Sequence, residues 1–241
     1  MKKIFVLIGS RNIKGNTIKF ANNIVKSFKN ECEVDIAFPQ DFCLKPIDGT
    51  NLYFTDTSHN LNEDLKNLQK KIIQSDILII GSPVYVHSMS ADLKLIFENL
   101  SWWAHTLRLQ GKPVVVISTC GSNGMNTVLE PVSDVISYMG GNIIATANAS
   151  QIPNQINNEE WLDEVCLSIS ERIRKFLDLG SQSNKFLEKI FQASKNNILE
   201  QKKYQLKHKI NISKLGELKY WEKTGMINCT TFEEFLNTLN I

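Results

Sequence analysis

The segment Asp76-Ile77-Leu78-Ile79-Ile80-Gly81 is the strongest indication of the fold, because it contains a continuous apolar run, Ile77–Ile80, that ends at a glycine. A strand that is apolar on both faces suits the centre of a parallel sheet with helices on both sides. Runs of the same kind occur at Ile4–Ile8 and Pro113–Ser118, and shorter ones at Val34–Ala37 and Ile143–Ala147. We therefore expect five β-strands.

Helical segments separate these strands along the chain. Apolar residues recur at helical spacing after Gly15 and in Leu61–Gln74, Ala91–Leu100, Met125–Met139 and Glu159–Leu179. The alternation predicts an α/β fold over residues 1–180, with a five-stranded parallel sheet and helices on both faces. Pro131 is expected to interrupt the fourth helix or to begin its second part. Pro39–Asn60 has no clear period and is expected to be a long loop.

The composition excludes several classes of protein. The 241 residues include 27 Lys and Arg against 25 Asp and Glu, and this net charge of +2 gives no electrostatic case for nucleic-acid binding. No apolar run approaches the roughly 18 residues of a membrane span, and Ile4–Ile8 is too short for a signal peptide. We expect a cytoplasmic protein that does not bind membranes.

The five cysteines give no sign of a metal site. Cys32, Cys43, Cys120, Cys166 and Cys229 show none of the spacings that are typical of zinc or iron–sulfur sites. We expect reduced thiols and no bound metal.

Three loops carry the candidate binding residues, because ligands of open α/β sheets bind beyond the carboxyl ends of the strands. The first loop, Gly9–Thr17, offers hydroxyls, an amide and free backbone N–H groups at a helix start, where an anion can bind. It has neither the Gly-Lys-Ser/Thr of a Walker A loop nor the G-x-G-x-x-G of a dinucleotide fold. An ordinary capped turn is the alternative interpretation.

The second and third loops could hold a flat ligand. Tyr85 and Val86 are apolar where a solvated loop would be polar, although Tyr85 could instead pack on the end of the sheet. His87, a lone histidine in a loop, is interpreted as a solvated residue. The third loop, Ser118–Gly124, has two glycines that allow a ligand to approach the backbone. The sequence suggests no base for Cys120, so we do not assign it as a nucleophile.

The three loops together resemble those of the flavodoxin-like NAD(P)H-dependent FMN reductases, within them the branch that includes the iron–sulfur flavoproteins. Gly9-Ser10-Arg11 with Gly15-Asn16-Thr17 looks like the family's phosphate loop. Gly81-Ser82-Pro83-Val84-Tyr85, followed by Met89-Ser90-Ala91-Asp92-Leu93-Lys94, looks like the second flavin loop and is the more specific match. Thr119-Cys120-Gly121 with Gly124 resembles the third loop, and the resemblance covers about residues 1–180.

The resemblance implies that FMN is the cofactor and that NADPH or NADH reduces it. It implies phosphate contacts from Ser10, Arg11, Asn16 and Thr17, ring and ribityl contacts from Pro83, Val84, Tyr85 and Val86, and contacts to the other ring edge from Thr119, Gly121 and Gly124. Electrons would pass to a quinone, free flavin, azo or nitro compound, or a more specialised small molecule. No catalytic side chain is assigned, because the flavin carries the chemistry.

One departure from the iron–sulfur branch is the missing cysteine cluster between the second strand and the second helix. That stretch contains only Cys43, with Cys32 just before it, whereas a four-iron cluster takes four Cys ligands. We therefore expect a relative of that branch without its cluster.

Two other functions stay open at this point. A flavodoxin-type electron carrier would bind FMN without a substrate of its own, but such carriers are usually strongly acidic and this chain is not. An interaction protein that had lost the flavin would not need the polar residues of the first loop.

Residues 181–241 are predicted to form a helical C-terminal extension. Helices are expected at Asn184–Lys209 and Phe232–Leu239, the second with a capping box from Thr231 to Glu234. The extension is rich in apolar residues that must be buried: Phe186, Leu187, Ile190, Phe191, Ile198, Leu199, Tyr204, Trp221, Phe232, Phe235, Leu236 and Leu239.

We expect the extension to pack on a neighbouring subunit of at least a dimer, since reductases that this chain resembles are commonly dimers. The alternative is that it folds back on its own subunit, as an extra helical layer or a lid over the FMN. The adjacent Trp102 and Trp103 are expected to point in different directions. One would meet a second subunit or cover the flavin, unless both fill gaps at the domain edge.

Overall fold

A computed structural model describes residues 1–47, 62–211 and 216–239. Five parallel strands form one sheet in the order β2-β1-β3-β4-β5. They are β1 (Lys2–Ile8), β2 (Cys32–Ala37), β3 (Ile77–Pro83), β4 (Pro113–Cys120) and β5 (Asn142–Ser150). The predicted flavodoxin-like sheet is confirmed, and each strand is somewhat longer than its apolar run.

Nine α-helices lie in the described part of the chain. They are α1 (Asn16–Val25), α2 (Glu63–Gln74), α3 (Ala91–Asn99), α4 (Trp103–Thr106), α5 (Asn126–Tyr138), α6 (Glu159–Leu179), α7 (Lys185–His208), α8 (Gly216–Lys223) and α9 (Phe232–Leu239). The short α4 and α8 were not predicted. Part of the predicted loop 39–60 and the predicted helix start at Leu61 fall outside the described residues. No described helix is long and apolar enough to cross a membrane.

The two faces of the sheet each build a core. Alternate strand residues such as Ile4, Val6 and Ile79 pack with α1 and α6. The residues between them, such as Phe5 and Leu78, pack with α2, α3 and α5 on the opposite face. This period of two explains why the strands are apolar on both faces.

The helix α5 runs through Pro131 without a break, so the expectation of an interruption is wrong. Pro131 is exposed, whereas Val128, Val132 and Ile136 are buried. The loss of one helical hydrogen bond on the solvent side is offset by the packing of the buried face on the sheet.

The C-terminal extension packs on its own chain, which is the alternative that the sequence left open, and its contact with a neighbouring subunit stays a prediction. Leu187, Phe191, Trp221 and Phe232 form a third buried cluster, which Leu107 of the first 180 residues joins. The cluster buries most of the apolar residues of the extension within one chain, whereas Phe186, Tyr204 and Leu239 are exposed. It leaves the oligomeric state, and the division into domains at residue 180, as predictions.

The extension docks at the amino ends of the strands. Gln182 N–H donates to Gly111 O over 3.0 Å, and Asn184 Nδ2 donates to Asn142 Oδ1 over 2.9 Å. A Cβ on Gly111, which has φ +72°, would lie 2.7 Å from Leu236 Cδ1, so only glycine allows this approach. These contacts identify the extension as a helical layer that is anchored at the amino edge of the sheet.

Both adjacent tryptophans are buried in the same core. Trp102 is 7% exposed and Trp103 is 1% exposed. The Tyr220 ring of α8 meets Trp102 edge-on, with 6.0 Å between ring centroids. The expectation that one of them meets a second subunit or covers the flavin is wrong, because the extension covers Trp102; both fill the edge of the domain.

Candidate functional site

A pocket opens at the carboxyl edge of the sheet, where the strand order reverses between β1 and β3. Its volume is about 210 Å³ and it is open to solvent, so it is a cleft somewhat smaller than a typical enclosed ligand site. It is lined by Ser10, Asn12, Gly15, Asn16, Thr17, Pro83, Val84, Tyr85, Thr119, Cys120, Gly121 and Gln151. The pocket thus joins all three loops that the sequence singled out.

The first loop presents unsatisfied donors to the pocket. Asn12 N–H donates to Ser10 Oγ over 3.3 Å, and Lys14 N–H donates to Asn12 Oδ1 over 3.0 Å, which shapes the turn. Within the described residues, the N–H groups of Asn16, Thr17 and Ile18 have no acceptor.

The start of α1 differs from most other described helix starts. No side chain caps it, and no acidic residue lies in its first turn. By contrast, α2, α3, α6 and α7 have both a side-chain cap and an acidic first turn. The free N–H groups and the positive end of the helix dipole therefore remain available for an anion.

Thr17 and Thr119 tie the first loop to the third. Their hydroxyl oxygens are 2.7 Å apart in a buried hydrogen bond. One O–H serves this bond, so the other can donate elsewhere. The pair places a second hydroxyl donor beside the free N–H groups.

The second loop forms the more apolar wall. Val84 N–H donates to Thr119 O over 2.8 Å, which holds the end of β3 against the end of β4. Pro83, Val84 and Tyr85 line the pocket. Tyr85 is 55% exposed and so stands at the rim rather than on the sheet end. This wall suits a flat apolar ring.

The third loop contacts Gln151, the residue after β5, which was not among the predicted binding residues. Gln151 lines the pocket, and its N–H donates to Cys120 O and Gly121 O, both over 3.0 Å. Gln151 directly follows β5, so the rule applied to the other strand ends would have found it. Asn12, Gly15 and Cys120 also line the pocket but were not assigned as binding residues.

Three of the predicted residues lie outside the pocket lining. Arg11 is paired with Asp92, with Nη2 2.9 Å from Oδ1, and this hydrogen-bonded carboxylate raises the pKa of the guanidinium. Val86 is 97% exposed at the tip of a turn. Gly124 packs on the second loop, where a Cβ would lie 2.7 Å from Val84 Cγ1.

The chemistry of the lining fits FMN. Neutral hydroxyl, amide and backbone donors suit a phosphate dianion, and Pro83, Val84 and Tyr85 suit the ring. The described residues that line the pocket include no Lys, Arg, His, Asp or Glu. Among the described residues, no cluster of three or more His, Cys, Asp or Glu side chains could hold a metal. His87 is exposed and outside the lining.

Comparisons with known proteins agree with this site. A family model described as NADPH-dependent FMN reductase matches residues 2–153. An FMN-dependent NADPH-azoreductase of Staphylococcus aureus (strain USA300) is 26% identical over 162 residues, which cover 66% of this chain and 81% of the relative.

Solved structures share the fold at low identity. An azoreductase from Bacillus anthracis str. Sterne gives a TM-score of 0.57 at 12% identity, over 71% of this chain and 100% of that chain. RosB with bound 8-demethyl-8-formylriboflavin-5'-phosphate gives 0.61 at 15% identity, over 82% of this chain and 88% of that chain. The family match includes every residue that lines the pocket and spans well over half of the sequence, so the chain belongs to the NADPH-dependent FMN reductase family of flavin oxidoreductases.

Proposed function

We propose that the pocket binds one FMN per chain without a covalent bond. The phosphate occupies the start of α1, against Ser10, Asn16, Thr17 and the free N–H groups. The observation that supports this arrangement is that unpaired donors and an apolar wall share one pocket. The Pro83–Tyr85 segment and Thr119–Gly121 would hold the ring.

The residues of the pocket bind and orient the cofactor. The chemistry that bound FMN would supply is to accept a hydride from NADPH or NADH and to pass the electrons to an acceptor. Pro83, Val84 and Tyr85 exclude water from one side of the ring, while backbone groups near Gly121 and Gln151 approach its edge. None of these side chains needs to move a proton.

The electron acceptor that we propose is a small oxidised aromatic molecule, such as a quinone or an azo compound. The name of the Staphylococcus aureus relative states azoreductase activity. For a quinone, NADPH supplies a hydride and solvent supplies a proton, so that quinone, NADPH and H⁺ give hydroquinone and NADP⁺. Free flavin and nitro compounds are further acceptors of this class.

The test is an absorbance spectrum of the purified protein, followed by NADPH or NADH without air and then by a quinone. We expect a flavin spectrum that NAD(P)H bleaches and the quinone restores, with repeated turnover. Bleaching by a reduced partner protein alone, without NAD(P)H oxidation, would favour the electron carrier. A colourless protein that gains no flavin spectrum from added FMN would favour the interaction protein.

We also propose a homodimer or higher oligomer in the cytoplasm. Two exposed apolar residues on the described extension support association: Phe186 and Leu239. All five cysteines are free, which is consistent with a reducing compartment. Light scattering of the intact chain measures the mass of the assembly.

A further inference from the structure

The second loop ends in a turn of unusual composition. Tyr85 N–H donates to Ser88 O over 2.9 Å, and Ser88 N–H donates to Tyr85 O over 3.0 Å, so that two residues form the tip. Val86 has φ +50° and His87 has φ +55°. A two-residue turn of this geometry normally carries Asn and Gly, because positive φ is unfavourable for a β-branched residue.

Neighbouring loops hold this strained turn in place. A Cβ on Gly124 would lie 2.7 Å from Val84 Cγ1 and 3.3 Å from His87 Nδ1, so the third loop packs directly against the turn. Backbone strain of this kind persists where the surroundings fix it, and it concentrates at functional sites. Val86 is therefore held beside the pocket in one orientation.

The side chain of Val86 is exposed to solvent, one residue beyond Tyr85, which lines the pocket. It is 97% exposed, next to Tyr85 at 55%. Met125, which follows Gly124, is 40% exposed, and Ile152, which follows Gln151, is 71% exposed. Two of the loops thus place an exposed apolar side chain directly after a lining residue, Val86 after Tyr85 and Ile152 after Gln151, while Met125 lies four residues beyond Gly121. Such a rim, continuous with a pocket, marks a binding surface.

The size of this rim favours a small molecule as its occupant. A stable interface with a second protein buries about 800 Å² on each partner, which four side chains do not provide. We propose that Val86 determines specificity for the electron acceptor, because its apolar side chain, beside Tyr85, contacts the flat ring of an apolar quinone. This inference rests on the proposed function, and the reduction is the balanced hydride and proton transfer given above.

The experiment compares two acceptors in steady state with NADPH. One is 2-methyl-1,4-naphthoquinone, which is flat and apolar; the other is ferricyanide, which is small, charged and accepts single electrons, two per NADPH. The variants are Val86→Thr, which keeps shape and β-branching but adds a hydroxyl, and Val86→Gly, which removes the side chain. Leu206→Asn is the matched control, an exposed apolar residue on α7 far from the pocket.

We expect the ratio of kcat/KM for the naphthoquinone to that for ferricyanide to fall about threefold in Val86→Thr and about tenfold in Val86→Gly, through KM for the quinone. The Leu206→Asn control should keep the wild-type ratio. An unchanged ratio in Val86→Gly overturns the inference.

Three other results would also overturn the inference, and each would indicate a different explanation. Equal losses with both acceptors, accompanied by weaker FMN binding, assign Val86 to the flavin. A smaller mass by light scattering in Val86→Gly assigns it to a subunit interface. A wild-type protein that oxidises NADPH with neither acceptor refutes the proposed function itself and the inference with it.

Discussion

Thr17 and Thr119 are 102 residues apart in sequence and share a buried hydrogen bond in the pocket. The bond fixes the start of α1 against the end of β4, so that hydroxyl and backbone donors converge. Each donor is uncharged, so its bond to a phosphate dianion is charge-assisted only through the ligand. The binding energy at the residue scale is therefore spread over several modest contacts.

The double variant Asn16→Ala and Thr17→Ala tests this distribution. We expect each lost charge-assisted hydrogen bond to cost about 1–3 kcal/mol of FMN binding free energy, or about 5- to 150-fold in Kd. Titration of the apoprotein by flavin fluorescence measures the Kd. Asn23→Ala, on the same helix but outside the pocket lining, should bind FMN like wild type. Wild-type affinity in the double variant would show that the phosphate lies elsewhere.

Arg11 shows how residue-scale roles depend on partners. The resemblance implied a phosphate contact, yet its guanidinium forms three hydrogen bonds to Asp92, at 2.9–3.2 Å. The guanidinium is thus paired with a carboxylate, and the described residues that line the pocket include no cation. The role of Arg11 in phosphate binding stays a prediction.

At the scale of elements, a buried lysine caps the end of α2. Lys112, which is 9% exposed, donates to Ile73 O over 3.3 Å and to Ser75 O. Burial lowers its pKa from 10.5 to about 8, although Asp76 opposes part of the effect. The capped helix end and the loop into β3 therefore depend on a group that titrates in the alkaline range.

This shift predicts a pH dependence of stability. Between pH 8 and 10.5 the unfolded chain binds the Lys112 proton and the folded chain does not, so stability from this group rises with pH. The slope reaches at most about 1.4 kcal/mol per pH unit. We expect the free energy of unfolding of wild type, minus that of Lys112→Met, to rise across this range in urea titrations. Parallel pH profiles for the two proteins would contradict the shift.

At the scale of the whole molecule, the carboxyl and amino edges of the sheet serve different purposes: one forms the pocket and the other binds the extension. The pocket lies at the carboxyl ends of the strands, and the extension docks at the amino ends through Gly111, Asn142 and His105. Stability contributed by the extension should therefore be separable from cofactor binding.

Trp221→Ala tests this separation. Trp221 is fully buried, and its Nε1 donates to His105 O over 2.8 Å. We expect a loss of about 3–5 kcal/mol in the free energy of unfolding, from the cavity and the lost bond, with an unchanged Kd for FMN. Circular dichroism in urea measures stability, and Tyr204→Ala, exposed on α7, is the control. A parallel loss of FMN affinity would show that the two edges are coupled.

The positions of Cys32 and Cys43 in the fold are relevant to the expected absence of an iron–sulfur cluster. Cys32 begins β2, and Cys43 follows its other end, about 17 Å along the strand direction. These two thiols are too far apart to share a cluster. We expect no stoichiometric iron or sulfide in anaerobically purified protein; one cluster equivalent per chain by iron analysis would refute this.

Local patterns in the amino-acid order were enough to predict the secondary-structure elements and the position of the site. Apolar periodicity and turn residues are local signals, so the five strands, the main helices and the first turn of α1 could be predicted within a few residues. Because parallel strands bring their carboxyl ends to one edge, the sequence also indicated which loops would meet there. Most of the predicted binding residues line one pocket for this reason.

The contacts of the site residues with residues distant in sequence could not be predicted, because they arise from tertiary packing. Arg11 pairs with Asp92, 81 residues away, and Gln151 reaches the pocket through bonds to the third loop. Gly124 and the turn at Val86 fit each other, which directs Val86 away from the pocket lining. The extension buries its apolar face on its own chain, because the docking surface around Leu107 is created by the fold and has no local signature in the sequence.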